Sequence, residues 1–220
     1  MSSITLLNVD CIDYMKTLEN KAFDLAIVDP PYFDAPQKLG YYGAKISKSK
    51  VKRGNYQTIS KWDVPDEKYF NELFRVSKHQ IIWGINYYAK HIPHVGRIIW
   101  DKKNDSSSFS KAEIASQSFT ISVNMFRFTW NGMLQEDMKN KEIRIHPTQK
   151  PVKLYQWLLT NYAKPGQKIL DTHLGSGSSA IAAHYFGCDF VGCELDKDYY
   201  DAAINRFNLA TAQTTLFDME

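Results

Sequence analysis

The sequence predicts an α/β protein built on a sheet whose strands are mostly parallel. The first observation is a set of short apolar runs, bounded by polar or turn residues, that are typical of buried strands. The second is the series of amphipathic helical patterns between several of these runs. Strands that alternate with helices favour a mostly parallel sheet. Of the 220 residues, 44% are hydrophobic and 23% are charged, which is the composition of an ordinary globular protein.

The apolar runs and helical patterns indicate the order of the elements along the chain. Strands are predicted at 4–8, 24–28, 80–84, 97–100, 119–130, 168–171 and 190–194. Helices are predicted at 11–18, 66–77, 152–162, 178–186 and 198–209, the first of them after Asp10 as its N-cap. Residues 34–62, 104–111 and 131–150 show neither pattern. Because no repeat or linker divides the chain, we expect one domain over residues 1–220.

Composition excludes several classes of protein. No segment approaches the roughly 18 consecutive apolar residues of a membrane span, and the first ten residues do not form a secretory signal. Cys11, Cys188 and Cys193 are an odd set without ligand-like spacing. We therefore expect no disulfide framework and no metal site, and a reducing cytoplasm as the setting.

A glycine-rich turn follows the predicted strand 168–171. The stretch "KILDTHLGSGSSAIAA" ends a strand at Asp171, turns at Gly175 and Gly177, and enters a helix near Ser178. Glycines let the backbone approach a ligand closely. The next strand ends at Glu194, about 20 residues on, where a carboxylate can accept hydrogen bonds from ribose hydroxyls. This order predicts a nucleoside site; the alternative is a tight turn with an incidental glutamate.

Gly175, Gly177 and Ala180 also match the pattern of nicotinamide enzymes, G-x-G-x-x-A. Only 26 residues follow Glu194, too few to complete half of a dinucleotide-binding sheet. The missing strand is expected from "ITLLNVD" at the N-terminus, which brings Asp10 and Cys11 near the base of the nucleoside.

The stretch "DLAIVDPPYF" ends a buried strand with a carboxylate and two prolines. Pro31 keeps Pro30 extended, so the Pro30 carbonyl is expected to lie exposed beside the Asp29 carboxylate. Two acceptors held together suit an NH2 group, and the Tyr32 ring suits a planar substrate. We interpret the turn as a receptor for an aromatic amine; the alternative is a stiffened strand exit with a surface aspartate.

Residues 34–62 carry seven basic side chains against the single acid Asp34. Tyrosines at 41, 42 and 56 lie among them and can stack on bases while lysines neutralise phosphates. These tyrosines favour a polyanion-binding arm, and a solvated surface loop is the alternative. The basic residues are Lys38, Lys45, Lys48, Lys50, Lys52, Arg53 and Lys61.

"DPPY", "DTHLGSGSS", "ELD" and "HPTQKP" together resemble the S-adenosylmethionine-dependent DNA amino-methyltransferases, which modify adenine N6 or cytosine N4. The similarity spans nearly the whole chain, and the order of the motifs is similar to that of the permuted β class. The resemblance implies a Rossmann-like fold with a seven-stranded, mostly parallel sheet and helices on both faces. It also implies a basic, flexible insertion at about 34–62 and a minimal target-recognition region at about 104–145.

The resemblance implies roles for the motif residues. Catalysis is expected from Asp29, Pro30, Pro31 and Tyr32. The methyl donor is expected to contact Asp10, Cys11, Asp29, Thr148, Lys150, Asp171, Leu174, Gly175, Ser176, Gly177, Ser178, Glu194 and Leu195. Thr148 and Lys150 are assigned to the carboxylate of the donor, although an exposed lysine at a helix start is an equal alternative for Lys150.

Two features depart from the family pattern. Thr172 and His173 stand where the family commonly has Pro-Phe, and His173 is expected to be a solvated loop residue. Residues 131–145 are too few for a separate recognition domain, so base recognition is assigned to them, to 34–62 and to 104–118.

With Asp rather than Ser at position 29, the resemblance implies an adenine-N6 methyltransferase acting on a flipped-out base in a specific short sequence of double-stranded DNA. A cytosine-N4 or RNA amine methyltransferase, an inactive nucleic-acid-binding module and a nicotinamide oxidoreductase are the alternatives. A homodimer and a cognate restriction endonuclease are left open, as is an orphan enzyme.

Overall fold

The structure is a computed structural model that describes residues 2–33, 64–105, 110–131 and 134–212. Within these ranges the strands are β1 (Ile4–Leu7), β2 (Phe23–Val28), β3 (Ser77–Trp83), β4 (Gly96–Asp101), β5 (Ala112–Gln117), β6 (Val123–Arg127), β7 (Trp130–Asn131), β8 (Leu134–Gln135), β9 (Lys168–Asp171) and β10 (Asp189–Cys193). The helices are α1 (Cys11–Lys16), α2 (Glu67–Val76), α3 (Ile85–Tyr88), α4 (Val152–Tyr162), α5 (Ser178–Phe186) and α6 (Lys197–Ala212). None of the described helices is long and apolar enough to cross a membrane.

Eight strands form the main sheet, in the order β1-β10-β9-β2-β3-β5-β4-β6. All neighbours are parallel except β5, which runs antiparallel to β3 and β4. The predicted α/β class and mostly parallel sheet are confirmed. The expected number of seven strands is wrong for the described residues, because β5 was not predicted.

Strand β5 escapes prediction because its sequence, AEIASQ, mixes polar and apolar residues. Ser116 and Gln117 are buried with it, and the Gln117 side chain bonds the turn at Thr120. The turn occupies the first residues of the predicted strand 119–130, so the observed strand β6 is shorter than predicted. Trp130, at the end of the predicted strand, belongs instead to the separate hairpin β7–β8. Two strands of the main sheet, β5 and β6, therefore lie within the region assigned to target recognition, 104–145.

Helices cover both faces of the sheet, as predicted. Along β2, Leu25 and Ile27 pack in the cluster that contains residues of α4, α5 and α6. Ala26 and Val28 pack in the opposite cluster, with residues of α1, α2 and α3. This alternation follows from the two-residue period of a strand. Two aspartates cap the helices of the second face: Asp10 bonds the first turn of α1, as predicted, and Asp66 bonds that of α2.

The two strands that lead into the predicted sites are neighbours. Strand β2 pairs with β9 in parallel, with Ala26 opposite Leu170. Because parallel strands end at the same edge of a sheet, the loops that begin at Asp29 and Asp171 emerge side by side.

Candidate active site

Lys150 connects the two predicted sites. Its carbonyl accepts a hydrogen bond from Ser178 Oγ at 2.8 Å, at the start of α5. Its side-chain ammonium donates to Asp29 Oδ2 at 2.6 Å, at the end of β2. The glycine-rich turn and the acidic turn therefore lie at one edge of the sheet and are joined through a single residue.

The Asp29 carboxylate is held on both oxygens. Oδ1 accepts from the Tyr32 hydroxyl at 2.6 Å and Oδ2 accepts from Lys150. Burial raises the pKa of Asp29, and the Lys150 ammonium opposes that rise. Because a carboxylate has about four acceptor positions, both oxygens keep capacity for a further donor.

The second acceptor of the predicted amine receptor is less open than expected. Pro30 is buried, whereas an exposed carbonyl was predicted. Its carbonyl oxygen lies 3.5 Å from the Tyr88 hydroxyl, which donates a much shorter hydrogen bond to the Pro31 carbonyl. Tyr88 thus holds the double-proline turn through the Pro31 carbonyl, and the Pro30 carbonyl accepts at most a long hydrogen bond from it.

The Tyr32 ring packs on protein side chains. It stacks on Tyr87 with ring centroids 4.7 Å apart and 10° between the planes. Gly84 makes room for it, because a Cβ at that position would lie 2.2 Å from Tyr32 Cε1. The ring that was predicted to receive a planar substrate is thus part of an aromatic pair.

The glycine-rich turn has the backbone that its sequence predicts. Gly175 and Gly177 have φ of +53° and +73°, in the left-handed region that favours glycine. Asp171 braces the turn, since it accepts from Ser179 Oγ at 2.6 Å and from the His173 amide at 3.0 Å. Burial raises the pKa of Asp171 to about 6 despite these two bonds.

Glu194 closes the same turn from the neighbouring strand. Its two oxygens accept backbone bonds from Gly175 at 2.8 Å and from Asp196 at 3.0 Å. Burial raises its pKa to about 7, and the backbone donors oppose that rise. Leu195 beside it is 62% exposed, a large apolar side chain at the rim of the site.

The remaining predicted donor contacts surround this turn. Leu174 is buried and its amide bonds the Cys193 carbonyl at 2.9 Å. Ser176 Oγ lies 3.1 Å from Ser178 Oγ. One carboxylate oxygen of Asp10 accepts the backbone hydrogen bonds that cap α1. Their contact with a donor stays a prediction.

The cysteines are free thiols. Burial is the main cause that raises the pKa of Cys11 to about 12 and of Cys188 to about 11, and it also raises that of Cys193. All three stay protonated at neutral pH, which suits structural roles and not nucleophilic ones.

Lys150 is buried, which rules out the alternative of an exposed lysine at a helix start. Its ammonium contacts a second carboxylate, Glu113 Oε2, at 2.7 Å. Burial alone acts to raise the pKa of Glu113, but the ammonium groups of Lys150 and Lys102 lower it to about 2. The sequence analysis did not identify Glu113. The available signal was its position two residues before the buried Ala115, which places both side chains on the same face of a strand.

Thr148 and His173 differ from expectation. Thr148 is exposed and its hydroxyl lies 3.1 Å from His146 Nδ1, so its contact with a donor stays a prediction. His173 is not a solvated residue. Its ring packs edge to face on Tyr69, with ring centroids 5.4 Å apart, and its Nδ1 lies 2.9 Å from Thr172 Oγ1. Burial lowers the pKa of His173 to about 4, so the ring is neutral at pH 7.

The seven basic residues predicted to contact DNA lie outside the described residues, as do residues 106–109 and 132–133 of the predicted target-recognition region. These assignments stay predictions.

The fold and the site define an α/β protein in which a glycine-rich turn adjoins an acidic turn. A DNA methylase family model matches residues 102–205. Type II methyltransferase M.HinfI of Haemophilus influenzae is 24% identical over 92% of this chain and 67% of its own length. M2.DpnII of Streptococcus pneumoniae is 22% identical over 93% of this chain and 90% of its own.

Solved structures share the fold. The M1.HpyAVI–SAM complex matches with a TM-score of 0.61 and 17% identity, over 92% of this chain and 99% of that one. The cytosine-N4-specific PvuII DNA methyltransferase matches with a TM-score of 0.62 and 12% identity, over 94% and 87%. At these identities the likeness concerns the Rossmann-like fold.

These matches support what the motifs predict, that the chain is an S-adenosylmethionine-dependent DNA methyltransferase of the group that modifies adenine N6 or cytosine N4. Its assignment to the permuted β class stays a prediction.

Proposed function

We propose that the protein transfers a methyl group from S-adenosylmethionine to N6 of adenine in double-stranded DNA. The observation that carries this proposal is the Lys150 bridge, which holds the Asp29 turn and the Ser178 end of the glycine turn in one site. A donor at the glycine turn and an amine at Asp29 then meet at the same edge of the sheet.

The residues around the glycine turn fit the donor. Glu194 keeps two acceptor positions beyond its two backbone bonds, enough for a pair of ribose hydroxyls. Leu195 offers an exposed apolar side chain to the adenine ring. The donor supplies a methyl group on a sulfonium, a good leaving group that needs no further activation.

The acceptor amine is the group that the protein must activate. The exocyclic NH2 shares its lone pair with the ring, and hydrogen bonds from its N–H groups to Asp29 and the Pro30 carbonyl draw that pair back onto nitrogen. Attack on the methyl carbon then proceeds in line, and Asp29 is placed to take the proton that nitrogen loses. The acceleration comes from orientation and preorganised acceptors, without a covalent enzyme intermediate.

The target base must leave the duplex, at a cost of a few kcal/mol. Stacking on the Tyr32–Tyr87 pair contributes about 1–3 kcal/mol in return. The basic segment 34–62 supplies phosphate contacts, with the salt dependence that such contacts cause.

The test is transfer from radiolabelled donor to DNA, followed by digestion to nucleosides. Label in N6-methyl-2′-deoxyadenosine is expected. Label in N4-methylcytosine would support the cytosine alternative, and absence of transfer would support the inactive binding module.

A further inference from the structure

Asp29 belongs to a row of alternating charges, which we call the acid–lysine row: Asp29, Lys150, Glu113 and Lys102. Lys150 Nζ lies 2.6 Å from Asp29 Oδ2 and 2.7 Å from Glu113 Oε2. Lys102 Nζ lies 2.5 Å from the other oxygen of Glu113. Two carboxylates and two ammonium groups alternate, so the row is neutral as a whole.

The sheet places Glu113 at this edge. Strand β5 runs antiparallel to its neighbours, so its first residues lie where the parallel strands end. Glu113 is opposite Trp100 in the register, and Ala115 is opposite both Trp83 and Ile98. The two-residue period puts Glu113 on the face of Ala115, which is the face toward α4 and Lys150.

Two tryptophans form the apolar floor of the row. Lys150 Nζ lies 5.5 Å from the ring centroid of Trp83, and Lys102 Nζ lies 4.9 Å from that of Trp100. The two indoles contact each other edge to face at 6.4 Å. Charges over such a floor interact strongly because little water screens them.

The Lys150 ammonium is shared between the two carboxylates. Asp29 must keep enough acceptor strength to bind the N–H of an amine, and a lysine bound to Asp29 alone would weaken it. Glu113 provides the second carboxylate that takes part of the lysine charge, and Lys102 fixes Glu113 for this contact.

We propose that Glu113 is a positioning residue for methyl transfer, which holds Lys150 so that Asp29 stays oriented and able to accept a hydrogen bond from the amine. This inference rests on the proposed function. It assigns to a residue of the antiparallel strand a part in the reaction that none of the four sequence motifs supplies.

The test compares Glu113→Gln with Glu113→Asp and the wild-type protein. We expect Glu113→Gln to lower kcat about tenfold or more, since small displacements at a reacting centre have effects of this size. The Kd for the donor, measured by calorimetry, should stay within about twofold, because the Lys150 ammonium is directed at the two carboxylates and most of the predicted donor contacts lie at the glycine turn. Glu113→Asp restores the charge at shorter reach and should recover part of kcat. Asp201→Asn is the matched control, since Asp201 pairs with Lys197 in an exposed ion pair on α6.

Wild-type kcat in Glu113→Gln would overturn the proposal, and so would an equal loss of kcat and donor affinity, which indicates a general structural role. Far-ultraviolet circular dichroism establishes that each variant is folded. Where Glu113→Gln does not fold, Glu113→Asp carries the test: reduced kcat with unchanged donor Kd supports the proposal, and wild-type kcat overturns it. Absence of transfer by the wild-type protein would contradict the proposed function itself. That outcome differs from failure of the Glu113 proposal, in which the wild-type protein is active.

Discussion

The side chains of Lys150 and Asp29 meet at 2.6 Å although 121 residues separate them in the chain. Lys150 comes from the loop before α4, and Asp29 comes from the exit of β2. The contact joins the motif HPTQKP to the motif DPPY, and through Ser178 it also reaches the glycine turn. This ion pair therefore fixes the glycine-rich turn and the Asp29 turn relative to each other.

Lys150→Met is expected to lower the free energy of unfolding by about 3–5 kcal/mol, because it leaves two largely buried carboxylates, with side chains 15% and 21% exposed, without their shared partner. Urea denaturation measures the loss. Lys16→Met is the control: its ion pair with Asp13 is exposed, so the change should stay within about 0.5 kcal/mol. A Lys150→Met variant as stable as the control would show that the bridge does not hold the site together.

Gly84→Ala is expected to reduce kcat by displacing Tyr32, whose ring would lie 2.2 Å from the new methyl group. Gly166→Ala provides a matched control: its φ of +82° is close to the +78° of Gly84, but no atom lies within 4 Å of its added Cβ. Both variants carry the backbone penalty of a non-glycine residue at positive φ, about 1–2 kcal/mol. Steady-state kinetics should show loss of turnover in Gly84→Ala only; equal activities would mean that the position of Tyr32 is not required.

Donor affinity should depend on pH through Glu194. Its pKa is raised to about 7, so the carboxylate is mostly ionised at pH 8 and mostly protonated at pH 6. The ionised form accepts hydrogen bonds from both ribose hydroxyls, and affinity should therefore fall as pH falls, approaching about tenfold between pH 8 and pH 6. Calorimetric titration at several pH values measures this change.

Glu194→Gln should bind the donor more weakly by about 1.5–3 kcal/mol, the value of a hydrogen bond to a charged group. Its affinity should also lose most of the pH dependence. Wild-type affinity in Glu194→Gln would remove Glu194 from the donor site.

Neutralising Lys48, Lys50, Lys52 and Arg53 should flatten the salt dependence of DNA binding. Each lost phosphate contact reduces the slope of log K against log salt by about 0.9. The control neutralises four exposed lysines that lie outside residues 34–62, namely Lys68, Lys153, Lys164 and Lys168. Fluorescence anisotropy at several salt concentrations measures both slopes, and equal slopes would favour a solvated loop for 34–62.

The sequence predicted the parts of the site that lie directly after parallel strands. Asp29, Asp171 and Glu194 each follow an apolar run, and the shared edge of a parallel sheet brings such strand ends together. It did not predict Glu113, because β5 has no continuous apolar run and its antiparallel pairing is a long-range property. Nor did it settle the burial of Lys150, which depends on carboxylates distant in the chain.

The aromatic surroundings of Tyr32 were equally hidden from sequence reasoning. Tyr87 and Tyr88 lie in a four-residue helix, α3, too short to give a periodic pattern. Their contacts depend on the path of the chain after β3, where Gly84 turns the backbone. Because the position of Tyr88 could not be inferred from the sequence, the Pro30 carbonyl was expected to be exposed, whereas the Tyr88 hydroxyl approaches it.

Asp29→Ala tests the central claim most directly, when methyl transfer to DNA and donor binding are measured on the same preparation. Lys150 keeps its contact with Glu113 in this variant, so the buried ammonium retains a partner. The predicted result is loss of methyl transfer with donor Kd within about twofold of wild type, because the proposed role of Asp29 is to bind the amine and most of the predicted donor contacts lie at the glycine turn. Turnover retained by Asp29→Ala would contradict the account.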